Sequence, residues 1–196
     1  MSLIALLICA LAISGAMAEE RVLTGQLLVA SERMRDPRFA ETVIYIVEHD
    51  RNGAFGLIVN RPHAEGPISA LLENFGLEHD GVLGDITVHN GGPVDKGVAF
   101  ILHSPEYIID GTLVVDGLMA LTSRPEVLRD IGIGKGPRRS LLAFGYSGWG
   151  PRQLDGEVAR GDWLVIDADP EIVFGANPLA KWRRAIDSGG GGDDFI

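Results

Sequence analysis

Cysteine is almost absent: Cys9 is the single one in 196 residues. One thiol cannot form an internal disulfide, and a pair or quartet of thiolate metal ligands is excluded. Positive charge is also scarce. Seventeen Lys and Arg stand against 27 Asp and Glu, a formal net charge of −10, so a phosphate backbone is repelled and the basic footprint of a nucleic-acid binder is missing. Nucleic acid is therefore an unfavoured partner. The five histidines, His49, His63, His79, His89 and His103, show neither His-x-His nor HExxH spacing, so no metal site is expected. No internal repeat and no Pro/Ser-rich linker divides the chain, which predicts one domain of a size that can bury its own core.

The N-terminus carries what the rest lacks. Met1 to Ala18 has no charged side chain, and Leu3 to Ile13 is an apolar run too short to cross a bilayer as a helix. Ala16-Met17-Ala18 follows with the small-x-small spacing that a signal peptidase accepts, although no basic residue precedes the run. Residues 1–18 are read as a signal peptide, residues 19–187 as the domain and 188–196 as a disordered Gly/Asp tail. Cleavage after Ala18 would remove Cys9, leave no stable membrane span and place the domain in the periplasm. A start at Met17 is the alternative and leaves a cytoplasmic protein.

Strand-type runs outnumber helical ones. Val22–Ala30, Thr42–Glu48, Ala54–Asn60, Asp85–His89, Val98–His103, Thr112–Val115, Ser140–Tyr146 and Trp163–Asp167 are predicted strands. Asn52-Gly53 between the second and third marks a hairpin, because these residues tolerate positive φ. Short helices are predicted at Ile68–Phe75, after the Ser123-x-x-Glu126 capping box, at Pro151–Arg160 and from Asn177-Pro178 to Ile186. The fold class is α+β: one domain with a mixed, mostly antiparallel and curved sheet and short helices packed on it.

Two motifs come close to known chemistry and miss. Gly145-Tyr146-Ser147-Gly148-Trp149-Gly150 sits between a strand and a helix, as a nucleophile elbow does, but the pattern needs Gly where Trp149 stands, and no histidine follows Ser147. A serine hydrolase using Ser147 is thus the third-ranked reading, and no catalytic residue is assigned. Gly132 to Arg139 is Gly-rich with three cations, Lys135, Arg138 and Arg139, but it precedes a strand and lacks the P-loop spacing. It is the best anion patch on an acidic chain. Asp155, Glu157, Asp162, Asp167 and Asp169 read as a solvated acidic face. Asn60-Arg61-Pro62 and His89-Asn90-Gly91-Gly92-Pro93 place polar and Gly residues at strand ends, which suits either a ligand site or a tight turn.

The blocks LTGQLLVAS, DPRF, TVIYIVEHD and NGAFGLIVNRP, then NGGPVDKG and FILHSPEY, then LLAFGYSGWGPRQLDGEVARGDWLV closely resemble the AlgH/YqgE family of bacterial proteins, from about Leu23 to Ile186. The resemblance implies an α+β fold with a barrel-like sheet. It carries no established catalytic residue or cofactor, and its regulatory association makes a cytoplasmic transcriptional regulator the alternative to a non-catalytic binding module. The family-like positions that become ligand-binding candidates are Asn60, Arg61, Gly91, Gly92, Pro93, His103, Gly148 and Trp149. The expected partner is a small ligand or another protein.

Overall fold

The computed structural model describes residues 22–189, so the expected signal segment and residues 190–196 of the expected tail lie outside the described part. Within it, ten strands and five short helices alternate. The strands are β1 (Gln26–Ala30), β2 (Val43–Asp50), β3 (Gly53–Ile58), β4 (Pro62–Pro67), β5 (Asp85–Asn90), β6 (Val94–His103), β7 (Leu113–Val114), β8 (Ala120–Thr122), β9 (Ser140–Trp149) and β10 (Trp163–Asp167). The helices are α1 (Ile68–Asn74), α2 (Glu126–Gly132), α3 (Gln153–Ala159), α4 (Pro170–Phe174) and α5 (Pro178–Gly189). Among the described residues no helix is long and apolar enough to cross a membrane.

The sheet runs β10-β1-β2-β3-β9-β6-β8-β7, with β4 and β5 attached beside β9. All pairings are antiparallel except β5 with β9. The expected mixed, mostly antiparallel sheet is the observed one, curled into a half-barrel. Side chains alternate between faces with period two. Leu27 and Val29 of β1, Val43, Tyr45 and Val47 of β2, and Leu57 of β3 point into one core with α4 and α5. Leu28, Ala30, Ile44, Ile46 and Ile58 point the other way, onto Trp149, Leu154 and Trp163. A third cluster packs α1 and α2 on Ile101 and Leu142.

β9 joins the two halves. Its residues Leu142–Phe144 pair with both β5 and β6, whereas Gly56-Phe55-Ala54 of β3 pairs with Ser147-Gly148-Trp149. The change occurs at Gly145, which sits at φ +71. There the Asn90–Pro93 turn crosses β9 backbone to backbone. A Cβ on Gly92 would lie 2.1 Å from the carbonyl carbon of Tyr146, and one on Gly91 would lie 2.3 Å from Gly145 O. Gly91 ties the crossing together, donating its N–H to Phe144 O at 2.8 Å and accepting from Ile58 N at 2.9 Å.

Several local expectations shift. The β2–β3 hairpin forms, but Asp50 pairs with Gly53, so Arg51-Asn52 is the turn centre. Asp50 Oδ1 accepts the Asn52 N–H at 2.7 Å, and only Gly53 takes positive φ. The Ser123 capping box does not form: Pro125 occupies the cap position with no side-chain bond, and Gly132 is the last helical residue instead of lying past the end. β9 continues through Trp149, so Ser147 lies within a strand and not on an elbow or in a turn. Asn177 does cap α5, accepting from Ala180 N at 3.1 Å, and α5 runs on through Ser188 and Gly189, where disorder was expected. β4, β8 and α4 were not foreseen. β4 begins and ends in proline and survives because it is an edge strand, whose outward N–H positions need no partner.

α5 is fixed by a buried cation. Lys181 is 5% exposed, and its Nζ donates to Val59 O at 2.6 Å and Val173 O at 2.7 Å. Among the described residues no carboxylate bonds to it, and burial lowers its pKa from 10.5 to about 8.

Two outcomes follow. Gly92→Ala is expected to cost about 3 kcal/mol or more, because the φ of +156 and the Tyr146 backbone both oppose a side chain. Gly97→Ala, with open space around it, should be near neutral; urea melts compare the two. Lys181 gives a pH signature. The folded chain releases the Lys181 proton near pH 8 and the unfolded chain near 10.5, so the unfolded state binds more protons between them and stability rises with pH in that window. His89, whose pKa burial and the Lys181 charge lower, is already neutral there. Wild type should gain on the order of 3 kcal/mol over Lys181→Met from pH 7.5 to 10.5. Using the difference removes the opposing effect of Tyr45 and Tyr107, whose pKa values burial and neighbouring acids raise.

Candidate functional site

The segment Ser31–Glu41 leaves β1 and returns to β2 as a strap over the outer face of the sheet, and both of its ends are anchored. At the first, Ser31 Oγ donates to Gly161 O at 2.6 Å and Ser31 N to Asp162 O at 3.0 Å. At the second, Asn60 Oδ1 accepts from Val43 N at 2.9 Å, Asn60 Nδ2 donates to Glu41 O at 2.8 Å, and the Arg61 guanidinium donates to Ala40 O. The middle is stiffened by Asp36, which holds Arg38 through both carboxylate oxygens; the bond to Arg38 keeps the Asp36 carboxyl below its usual value. Phe39 then lands edge-on against Trp163, ring centres 5.7 Å apart.

Under the strap lies a cleft of about 1080 Å³. Its floor holds Trp149 from the end of β9 and Trp163 from the start of β10, edge-to-face at 6.3 Å. Both indole N–H groups donate to one oxygen, Glu157 Oε2, each at 2.9 Å, while Oε1 accepts from Gln153 at 3.0 Å. The carboxylate of α3 thus fixes two large aromatic rings with all its bonds directed inward. Pro93, Val94 and Gly148 complete one wall. Of the four guanidinium groups around the mouth, Arg38 pairs with Asp36 and Arg160 with Asp162, whereas Arg33 and Arg35 form no ion pair among the described residues.

The predicted candidates separate into four groups. Pro93, Gly148 and Trp149 line the cleft. Asn60 and Arg61 do not face it, but they hold the end of its strap. Gly91 and Gly92 are buried in the backbone crossing. His103 belongs elsewhere: it is fully buried on β6, its Nδ1–H is accepted by Ser104 O at 2.9 Å, Nε2 has no partner, and Tyr107 packs edge-on at 5.7 Å. Burial lowers its pKa, so it is neutral at pH 7. Of the anion patch, Arg139 pairs with Glu171, and Arg138 has its side chain 3.9 Å from Glu106, which also accepts the Arg138 backbone N–H at 2.7 Å. Lys135 donates its N–H to Asp130 O, so the loop's backbone does not form an open anion cradle there.

Ser147 is 1% exposed, with its hydroxyl 3.5 Å from Gly91 O and no histidine among its partners. Among the described residues no three His, Cys, Asp or Glu side chains gather as a metal site would. Glu157, Phe39, Trp163, Arg33 and Arg35 were missed from sequence. The set of acids read as a solvated face includes Glu157, which is in fact the indole acceptor, and Asp169, which caps α4 by accepting from Glu171 N at 2.8 Å.

The arrangement defines a class: a curled α+β sheet domain with an aromatic cleft roofed by an anchored strap. The comparisons name the family. The AlgH-like family DUF179 matches residues 27–192, and the chain belongs to it. Similar proteins include a UPF0301 protein of Jannaschia sp., 45% identical over 85% of this chain and 88% of its own length, and one of Methylococcus capsulatus, 44% identical over 85% and 91%. The solution structure of the AlgH protein from Pseudomonas aeruginosa is similar at 34% identity and a TM-score of 0.72, covering 90% of this chain and 93% of that one. A Corynebacterium diphtheriae structure shares the fold at 22% identity and a TM-score of 0.66, over 87% and 89% of the two chains.

Removing one strap anchor should be visible without any ligand. Asn60→Ala leaves the Val43 N–H and Glu41 O unpaired at a site 6% exposed, an expected loss of roughly 2–3 kcal/mol. Hydrogen exchange should then speed up in residues 31–43 while β5 and β6 keep their protection; uniform loss across the molecule would contradict a local anchor.

Proposed function

We propose that this domain is a binding module that takes its ligand in the cleft under the Ser31–Glu41 strap. The observation that carries the proposal is the convergence there of Phe39, Trp149 and Trp163 with two guanidinium groups that form no ion pair among the described residues. A concave, aromatic-floored site with a few placed polar groups is the usual form of a ligand pocket, and its volume is at the upper end of that range. The rings are held in one orientation by Glu157 before any ligand arrives, which reduces the ordering cost of binding. An acidic or amphipathic ligand with an aromatic or apolar part fits this chemistry.

DNA is the weaker partner. The net charge is −10, and two of the three cations in the Gly132–Arg139 loop lie beside Glu106 and Glu171.

Two of the three tryptophans sit on the cleft floor, so their fluorescence reports occupancy. A metabolite library screened by thermal shift should give ligands that also change this emission. Gly148→Leu, which fills the wall of the cleft at an exposed strand position, should abolish their binding while the protein still melts cooperatively. Hits that bind the leucine variant equally well, or a library with no hit, would remove the cleft as the site.

A further inference from the structure

The cleft does not end at Trp149. A second concavity of about 650 Å³ opens on the other side of Gly148 and shares Val94, Gly148 and Trp149 with the first. It is lined by Glu48, Asp50, Phe55 and Tyr146 and by no cation. Asp50 is already held below its usual carboxyl value by the Asn52 backbone and side-chain bonds. The two hollows therefore form one groove. The four arginines of the first are matched in number by Glu32, Asp36, Glu157 and Asp162, but Asp36 and Asp162 bind Arg38 and Arg160 and the Glu157 oxygens face the indoles, which leaves Arg33 and Arg35 with only Glu32 at one end, against Glu48 and Asp50 at the other.

The lip between them is a strand edge. The register of β6 on β9 ends at Val94 opposite Tyr146, so among the described residues Ser147–Trp149 pairs with β3 alone. At this edge stands Gly148, whose glycine the fold does not require. Its φ is not positive, and a Cβ would meet side chains alone, the Tyr146 ring at 3.2 Å and Val94 Cγ2 at 4.0 Å, in contrast to the backbone collisions at Gly53, Gly91 and Gly92. What a side chain at 148 would obstruct is passage along the groove.

We infer that the occupant of the groove is an extended peptide segment of a partner protein, acidic at the end over Arg33 and Arg35, basic at the end over Glu48 and Asp50, with its backbone running past Gly148. The inference rests on the cleft being the binding site. It adds the ligand class and its direction. Main-chain bonding along an open strand edge supplies affinity without sequence demands, and the flanking hollows select alternate side chains. The opposed charges fix which way the segment lies and steer its approach. Because both charged ends are exposed, the affinity falls with salt.

A phage library of random decapeptides, panned on the full chain, tests this. Enriched peptides should carry acids at one end and Lys or Arg at the other. Their synthetic versions should lose binding to Gly148→Leu and weaken about tenfold with either Arg35→Glu or Glu48→Lys. The decisive measurement is the swap: the Arg35→Glu/Glu48→Lys double variant should prefer a peptide with the two charged ends exchanged, which damage to the fold cannot produce. Peptides enriched without charge polarity, or insensitive to both reversals, overturn the inference. No enriched peptide, with library metabolites still displaced by Gly148→Leu, overturns the peptide and leaves the cleft standing; loss of both removes the site itself.

Discussion

The structure depends on one backbone crossing. The turn through Gly91 and Gly92 passes β9 at Gly145–Ser147 with no room for a Cβ between the chains, and this contact lets one strand serve two differently directed parts of the sheet. Before Gly145, β9 is a central strand between β5 and β6; after it, Tyr146 keeps a last pairing with Val94 of β6, and Ser147–Trp149 pairs, among the described residues, with β3 alone. Steric exclusion at three glycines thus produces both the curl of the half-barrel and the exposed lip at Gly148. A second glycine contact, Gly53 against Trp149 O, holds the β2–β3 hairpin to the far end of the strand. Trp149 is thereby placed on the outer face, beneath the strap.

From that placement the cleft follows by ordinary hydrogen-bond accounting. A buried indole needs an acceptor for its N–H, and two indoles from β9 and β10 find the same one in Glu157. The strap has few backbone partners of its own, so its ends are satisfied from outside, by Gly161 and Asp162 at one end and by Asn60 and Arg61 at the other. Lys181 continues this arrangement on the inner side: it bonds Val59 O, the residue before Asn60, and so links α5 to the strand end that anchors the strap. The acidic chain uses its charges inward as well as outward.

Much of the architecture was legible in the sequence because a short unbroken apolar run, bounded by polar or turn residues, is a local signal of a buried strand. Val43–Val47, Leu27–Ala30 and Leu141–Phe144 declared their strands in this way. The errors fell where a tertiary contact overrides a local preference. Ser147-Gly148-Trp149 reads as a turn by composition, yet pairs with β3 as strand. β4 reads as loop because of its prolines, yet lies on an edge that tolerates them. Asn60 and Arg61 stood out in the sequence as polar residues at a strand end, but their partners, Ala40, Glu41 and Val43, lie about twenty positions earlier, and no spacing rule connects them. Glu157 was invisible as a site residue for the same reason. One carboxylate among many acquires its role only when two tryptophans arrive from different strands.

The blocks that carry the family resemblance acquire a physical meaning from this geometry. DPRF supplies the middle of the strap, VNRP its anchor, NGGP and FGYSGW the crossing and the floor, and RGDW the second ring and the first anchor. Five stretches separated in sequence meet at one corner of the sheet, and most of their residues are spent on shaping that corner. Asn60, Gly91, Gly92 and Glu157 have their polar atoms or their available space consumed by the protein itself. What stays open to a ligand is a smaller set: the half-buried Phe39 ring, the accessible margins of the largely buried Trp149 and Trp163, the guanidinium groups of Arg33 and Arg35, the acids at the far end, and the bare backbone at Gly148. These free groups supply opposed charge at the two ends of the groove and backbone hydrogen-bonding capacity between them, which is the chemistry the proposed peptide would meet.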